Sequence, residues 1–219
     1  MTASLLDDAM AHHIWATQRL LDFCEVLTPE QLRTPAPGTY GSILATFTHM
    51  VSSDGWYLTF FRDWTNAIDE ENTDISLAEL RAAITATGAA WMEILAANPD
   101  GETDNVEHGD GWEFHAPVGF RLAQVVHHGT DHRSQICTAL TSLGIEPPGI
   151  DVWDYGEATN RTRAEYMTAP KSWRRRRIRM DSVDMTGYDD TYHDQSSRRA
   201  RPDHDREGHP RRARDLRWG

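Results

Sequence analysis

GFRLAQVVHHGTDHRSQICTALTSLG, residues 119–144, is the stretch on which the fold of this chain turns. Val125, Ile136, Ala139, Leu140 and Leu143 recur on one side of a helical wheel, so the segment is predicted to be an amphipathic helix. His128 and His132 lie four residues apart within it. At about 100° per residue the two positions are roughly 40° apart and one turn up, a spacing from which two imidazoles can reach one ion. His132 falls in the apolar stripe and His128 at its edge, whereas His127 is turned about 100° from His128 and is expected at the surface or behind the ligands. Asp131 lies off the stripe on the His128 side, placed to orient an imidazole, take a proton or face water.

A catalytic divalent-metal site usually has three protein ligands and leaves a fourth position open, so the pair calls for a third partner. Gly129 follows His128 where zinc proteases carry the glutamate of H-E-x-x-H, so no hydrolytic base is built into the motif. A phosphate-binding P-loop, a G-x-G-x-x-G turn and a G-x-S-x-G elbow are all missing, which excludes nucleotide chemistry and serine hydrolysis of those types.

Upstream, a first helix is predicted from a cap at Ser4 to about Leu27, with Leu6, Met10, Ile14, Thr17, Leu21 and Cys24 on one face. Thr28-Pro29-Glu30 starts a short extra turn, and Pro35-Ala36-Pro37-Gly38 is a loop before a second helix from about Ser42 to Trp64. A third helix fits Ser76 to Ala97, opened by a Ser76/Glu79 capping box and closed before Asn98-Pro99. Asn105 to Pro117 contains Gly109-Asp110-Gly111 between β-compatible stretches, the pattern of a small hairpin. After the fourth helix, Asp151 to Arg163 reads as a short fifth.

Four amphipathic helices of this length predict an all-α fold, an antiparallel four-helix bundle, whose metal sites are built from side chains on facing helices. The third ligand should therefore come from another helix, and His49 in the middle of the second is the candidate. Its wheel points both ways. The strongest apolar stripe, Leu44, Phe47, Val51 and Leu58, lies nearly opposite, while its own face holds Ser42, Ala45, Ser53, Trp56 and Phe60, a mixture suited to a pocket wall.

The composition divides the chain. Residues 1–170 hold 25 acidic residues against eight arginines and no lysine, whereas 171–219 hold 13 arginines and one lysine against nine acids. Residues 1–168 are read as the bundle domain. Residues 169–219, with Arg174-Arg175-Arg176-Arg177 and few aliphatics, are expected to be a disordered basic tail. Such a tail can grip phosphates, but no nucleic-acid reader motif accompanies it, so a nucleic-acid partner is not expected.

Acids among the first eight residues and the lack of a long apolar run predict a cytoplasmic protein with no membrane partner. Cys24 and Cys137, without a CxxC, are expected to be buried reduced thiols. Trp15, Trp56, Trp91 and Trp153 are read as core mass, with Trp56 also placed to line a cavity. His12, His13, His108 and His115 are expected to be exposed or hydrogen-bonded rather than ligands, and Asp54 to be a helix-surface or interhelical partner.

Together these residues resemble the DinB/YfiT-like metal-binding four-helix bundles over about residues 5–160. The resemblance is carried by Trp15 and Arg19-Leu20-Leu21, by Gly41-Ser42-Ile43 leading to His49 and Asp54-Gly55-Trp56, by His128 to Ile136, and by Leu143 to Pro148 followed by Asp151. It implies that His49, His128 and His132 bind a divalent metal, zinc or nickel, with solvent completing the site. Some relatives carry a further histidine where this chain has Asp131. The resemblance also implies a metal-dependent transferase that activates a low-molecular-weight thiol, mycothiol or bacillithiol, for attack on an electrophile, and a possible homodimer. Arg133 and Arg19 are then candidates to contact substrate carboxylates, a surface or interhelical ion pair being the simpler role. Two alternatives stay open, a metal-dependent hydrolase and a non-catalytic metal-binding stress-response protein.

Overall fold

A computed structural model describes residues 6–163. The elements in chain order are α1 (Asp7–Cys24), α2 (Pro29–Arg33), α3 (Ile43–Leu58), α4 (Leu77–Ala96), β1 (Asp104–Gly109), β2 (Trp112–Pro117), α5 (Val118–Ser142) and α6 (Val152–Ala158). The Ser4 cap and the basic tail expected from the sequence lie outside the described residues.

Local chemistry explains most boundaries. Ser76 accepts from the Glu79 amide while the Glu79 carboxylate reaches back to the Ser76 N–H, and Thr28 with Gln31 and Asp151 with Asp154 repeat this reciprocal cap. Gly111, in the left-handed region at φ 77°, allows the tight turn that pairs β1 antiparallel to β2. The second long helix ends at Leu58 and not near Trp64. The reason is tertiary: beyond Leu58 the chain reverses over α3, where Asn66 lies against Gly55 and donates from Nδ2 to the Ser52 carbonyl at 2.8 Å.

The long helices α1, α4, α3 and α5 close a ring in that order, each packed on two others, and form the four-helix bundle expected. One core region centres on Leu20, Phe47, Ile84 and Leu140, the other on Met10, Leu58, Trp91 and Val125. Helix α3 is enclosed by α2, α4, α5 and the returning loop, so 14 of its 16 residues are buried. A helix buried on every side has no polar face to report its orientation, which is why the wheel left His49 undecided. Trp91 is fully buried as core mass, but Trp153 is 74% exposed and Trp56 37% exposed. Among the described residues no helix is long and apolar enough to cross a membrane.

Candidate metal centre

Helix α3 brings His49, and α5 brings His128 and His132, to one place between the two helices. His128 Nε2 lies 3.2 Å from His49 Nε2 and 3.1 Å from His132 Nε2, with the three ligand atoms all within 4.8 Å of one another. Tetrahedral zinc with bonds of about 2.0–2.1 Å holds its nitrogens about 3.3 Å apart, so this spacing suits one small cation. His49 and His132 are buried and His128 is half-buried.

The far side of two rings is tied down. His49 Nδ1 donates to Glu70 Oε1 at 2.7 Å, and His132 Nδ1 donates to Gln135 Oε1 at 3.2 Å. These carbonyl and carboxylate acceptors assign the proton to Nδ1 and leave the Nε2 lone pair for a cation. Tyr40 joins both arms. Its ring stacks on His49 at 4.1 Å and meets His132 edge-on at 5.6 Å, its hydroxyl donates to Glu70, and its backbone N–H donates to Gln135.

For the two histidines of α5 the electrostatics favour the neutral form. Burial, and then the neighbouring imidazoles, push His128 down to about 4, and burial with His49 lowers His132 as well. Both are therefore neutral at neutral pH, the form that binds metal. Burial works to raise Glu70, but hydrogen bonds from Tyr40 and His49 outweigh it and hold its carboxyl below the usual range. Burial and the Glu70 carboxylate push the Tyr40 phenol up to about 12, so it stays a donor. Three converging imidazole nitrogens are a donor set that fits a divalent ion.

The other candidate residues are placed elsewhere. Arg133 is almost wholly buried and hydrogen-bonds to His13, Thr17 and Thr130, while exposed Arg19 donates to the Gly149 carbonyl and stacks over Trp15. Neither arginine bonds to the imidazole cluster in the described residues. Asp131 pairs with His127 at the surface at 3.2 Å, and neither touches the cluster. His12 bonds to the Ile150 carbonyl, and His13 is buried against Asp54, the interhelical role expected of that aspartate. His108 and His115 are exposed on the hairpin, and both cysteines are free thiols. Trp56 packs on Tyr57 and Phe60.

Sequence reasoning missed Glu70, Tyr40 and Gln135. Gln135 had a signal, since it follows His132 at the i,i+3 spacing of helical neighbours. Glu70 had none, because it stands in a loop among Asp69 and Glu71 and reaches His49 through the fold alone. A cleft of about 330 Å³ adjoins these residues, lined by Tyr40 and Glu70 together with Arg33, Leu44 and Thr48.

A four-helix bundle that brings three imidazole nitrogens from two helices to one point defines a class, the bundle whose facing helices build a site that could hold a metal ion. The chain belongs to the DinB family, whose model matches residues 1–169. A DinB-like protein from Bacillus cereus has the same fold with TM-score 0.51 at 22% identity, over 64% of this chain and 91% of that one. YfiT from Bacillus subtilis, described as a probable metal-dependent hydrolase with an unusual four-helix bundle topology, aligns with TM-score 0.52 at 17% identity, over 66% of this chain and 92% of that one. No curated protein matches the sequence.

Proposed function

We propose that His49, His128 and His132 hold a divalent ion, zinc or nickel, and that the protein is a transferase activating a low-molecular-weight thiol of the mycothiol or bacillithiol type for attack on an electrophilic small molecule. The observation behind this reading is the convergence of three Nε2 atoms while Glu70 and Gln135 occupy the opposite nitrogens of two rings. Imidazole donors suit zinc and nickel. With three neutral ligands, a bound ion keeps its full positive charge and lowers the pKa of a thiol or water beside it.

The protein's own residues hold the geometry around that position. Glu70 and Gln135 fix ring tautomers and orientations, and Tyr40 covers His49 and the edge of His132 against solvent. Glu70 is the carboxylate that touches the cluster, yet its Oε1 already accepts from both Tyr40 and His49. Those hydrogen bonds hold the Glu70 carboxyl below the usual carboxylate range, so it is a weak proton acceptor, and that favours a substrate bringing its own ionisable nucleophile, a thiol, over activated water. Hydrolysis is the second reading, and the description of YfiT supports it.

The test is metal content by plasma mass spectrometry on untagged protein beside His49→Ala and His128→Ala, followed by electrophile consumption with mycothiol, with bacillithiol and without thiol. Near-stoichiometric zinc or nickel that both variants lose, with turnover that requires thiol, is the expected result. Turnover without thiol moves the assignment to a hydrolase, and bound metal with no turnover moves it to a metal-binding protein. Metal retained by His49→Ala, or no metal at all, overturns the ligand set.

A further inference from the structure

Each histidine of the α5 pair is followed by a residue that reaches into a buried polar network which the metal reading leaves unexplained. Gly129 follows His128 and Arg133 follows His132. Behind them His13 and Asp54 are 0% exposed and Arg133 is 2% exposed. His13 Nε2 lies 2.7 Å from Asp54 Oδ2, and Arg133 Nη1 lies 2.8 Å from His13 Nδ1. Because a guanidinium only donates, His13 Nδ1 is the acceptor and its Nε2–H donates to the carboxylate. A neutral imidazole from α1 thus bridges a carboxylate on α3 and a guanidinium on α5.

Such a network is a costly way to fill a core, since apolar residues of the same volume often stabilise as well or better. What it adds is registry. A β-carbon on residue 129 would overlap the His13 ring and crowd Arg133 Nη1, so α5 presents its bare backbone to His13 at the one turn between the two candidate ligands. An imidazole tip stands roughly 5–6 Å from its helix axis, so a 10° rotation of α5 would carry it about 1 Å. Productive site geometry tolerates about 0.5 Å.

A second observation points the same way. His49 and His132 have Nδ1 acceptors, but His128 Nδ1 is buried without one. Asp54 Oδ1 is buried and likewise unpaired.

We propose that His13, Asp54 and Arg133 are positioning residues for the metal centre: they set the rotation of α5 against α1 and α3, aligning His128 and His132 with His49. The inference rests on the metal-binding reading given above. Groups outside the ligand set that orient metal-ligating histidines ordinarily cost roughly ten- to a hundredfold in affinity when they are lost.

The experiment uses the full chain and Zn²⁺ in competition with a chromophoric chelator, together with the visible absorption of the Co²⁺-loaded protein. The variants are Asp54→Asn, His13→Leu and His13→Gln. Leu95→Ala, on α4 and outside the network, serves as the control for lost stability. Asp54→Asn and His13→Leu are expected to weaken Zn²⁺ binding roughly ten- to a hundredfold and to shift the Co²⁺ spectrum. His13→Gln, which retains a donor and an acceptor, should fall between His13→Leu and the unaltered chain. Leu95→Ala should leave affinity and spectrum unchanged while lowering the melting temperature. Should His13→Leu not fold, the near-isosteric Asp54→Asn decides. Unaltered affinity and spectrum in a folded Asp54→Asn, or an equal loss in Leu95→Ala, overturns the positioning role alone. An unaltered chain that binds neither ion overturns the metal reading and this inference with it.

Discussion

The imidazole of His13, on α1, occupies the volume into which any side chain at position 129 of α5 would project, so Gly129 and His13 form a steric pair across the helix interface. This contact explains why the H-x-x-x-H motif carries glycine where a protease motif carries glutamate: there is no room for a larger residue.

Replacing a helical glycine by alanine normally adds up to about 1 kcal/mol of stability through helix propensity. Gly129→Ala should do the reverse. A new methyl in a packed core costs about 1–3 kcal/mol, and the flanking His13 and Arg133 are held by hydrogen bonds. Urea denaturation of the metal-free protein checks this, and an unchanged or raised midpoint would refute the close packing.

Removing metal should lower thermal stability. Binding to the folded state alone contributes about 4 kcal/mol when the free ion exceeds its dissociation constant a thousandfold, which for a chain of this size corresponds to a rise of about 10 °C. Scanning calorimetry with Zn²⁺ and then with excess EDTA should show that shift, and His132→Ala should abolish it.

Glu70→Ala should weaken Zn²⁺ binding by at least about tenfold, because it frees His49 Nδ1 and leaves the ring able to turn. Tyr40→Phe should cost less, since the ring still stacks on His49 and only the hydroxyl on Glu70 is lost. Equal affinities for both variants and the unaltered chain, measured by chelator competition, would remove Glu70 from the site.

Burial, and then the neighbouring Cys137, push the Cys24 thiol up from 9.0 to about 12, and burial also raises Cys137. A thiol whose folded pKa is raised contributes its stability below the unfolded pKa and loses it as pH climbs toward the folded value. Unfolding free energy should therefore fall as pH rises from about 9 toward 12, and Cys24→Ala should flatten that slope. In the native protein at pH 8 a thiol reagent should leave the buried Cys24 unlabelled, while half-buried Cys137 is the more accessible thiol and denaturant exposes both.

What lies close in the chain was legible from the chain. Ser76 and Glu79 cap a helix because their side chains and the free amides are within one turn, and Asp151 does the same for α6. His128 and His132 share a face because four residues make one turn, and Gln135 follows from the same arithmetic. The hairpin around Gly111 depends on one residue that tolerates positive φ.

Contacts between distant segments were decided by the tertiary structure. His49 turns toward α5 although an apolar stripe lies on its opposite side, because α3 is enclosed on every face and periodicity carries no direction there. Glu70 and Tyr40 meet His49 from loops 21 and nine positions away, with no periodic signal to announce them. Arg133 carries the same charge in either role, but only packing puts it behind the histidines on His13 and not before them. Thus local geometry determined which histidines pair on one helix, while burial and long-range hydrogen bonding decided which third imidazole joins them and what holds all three in place.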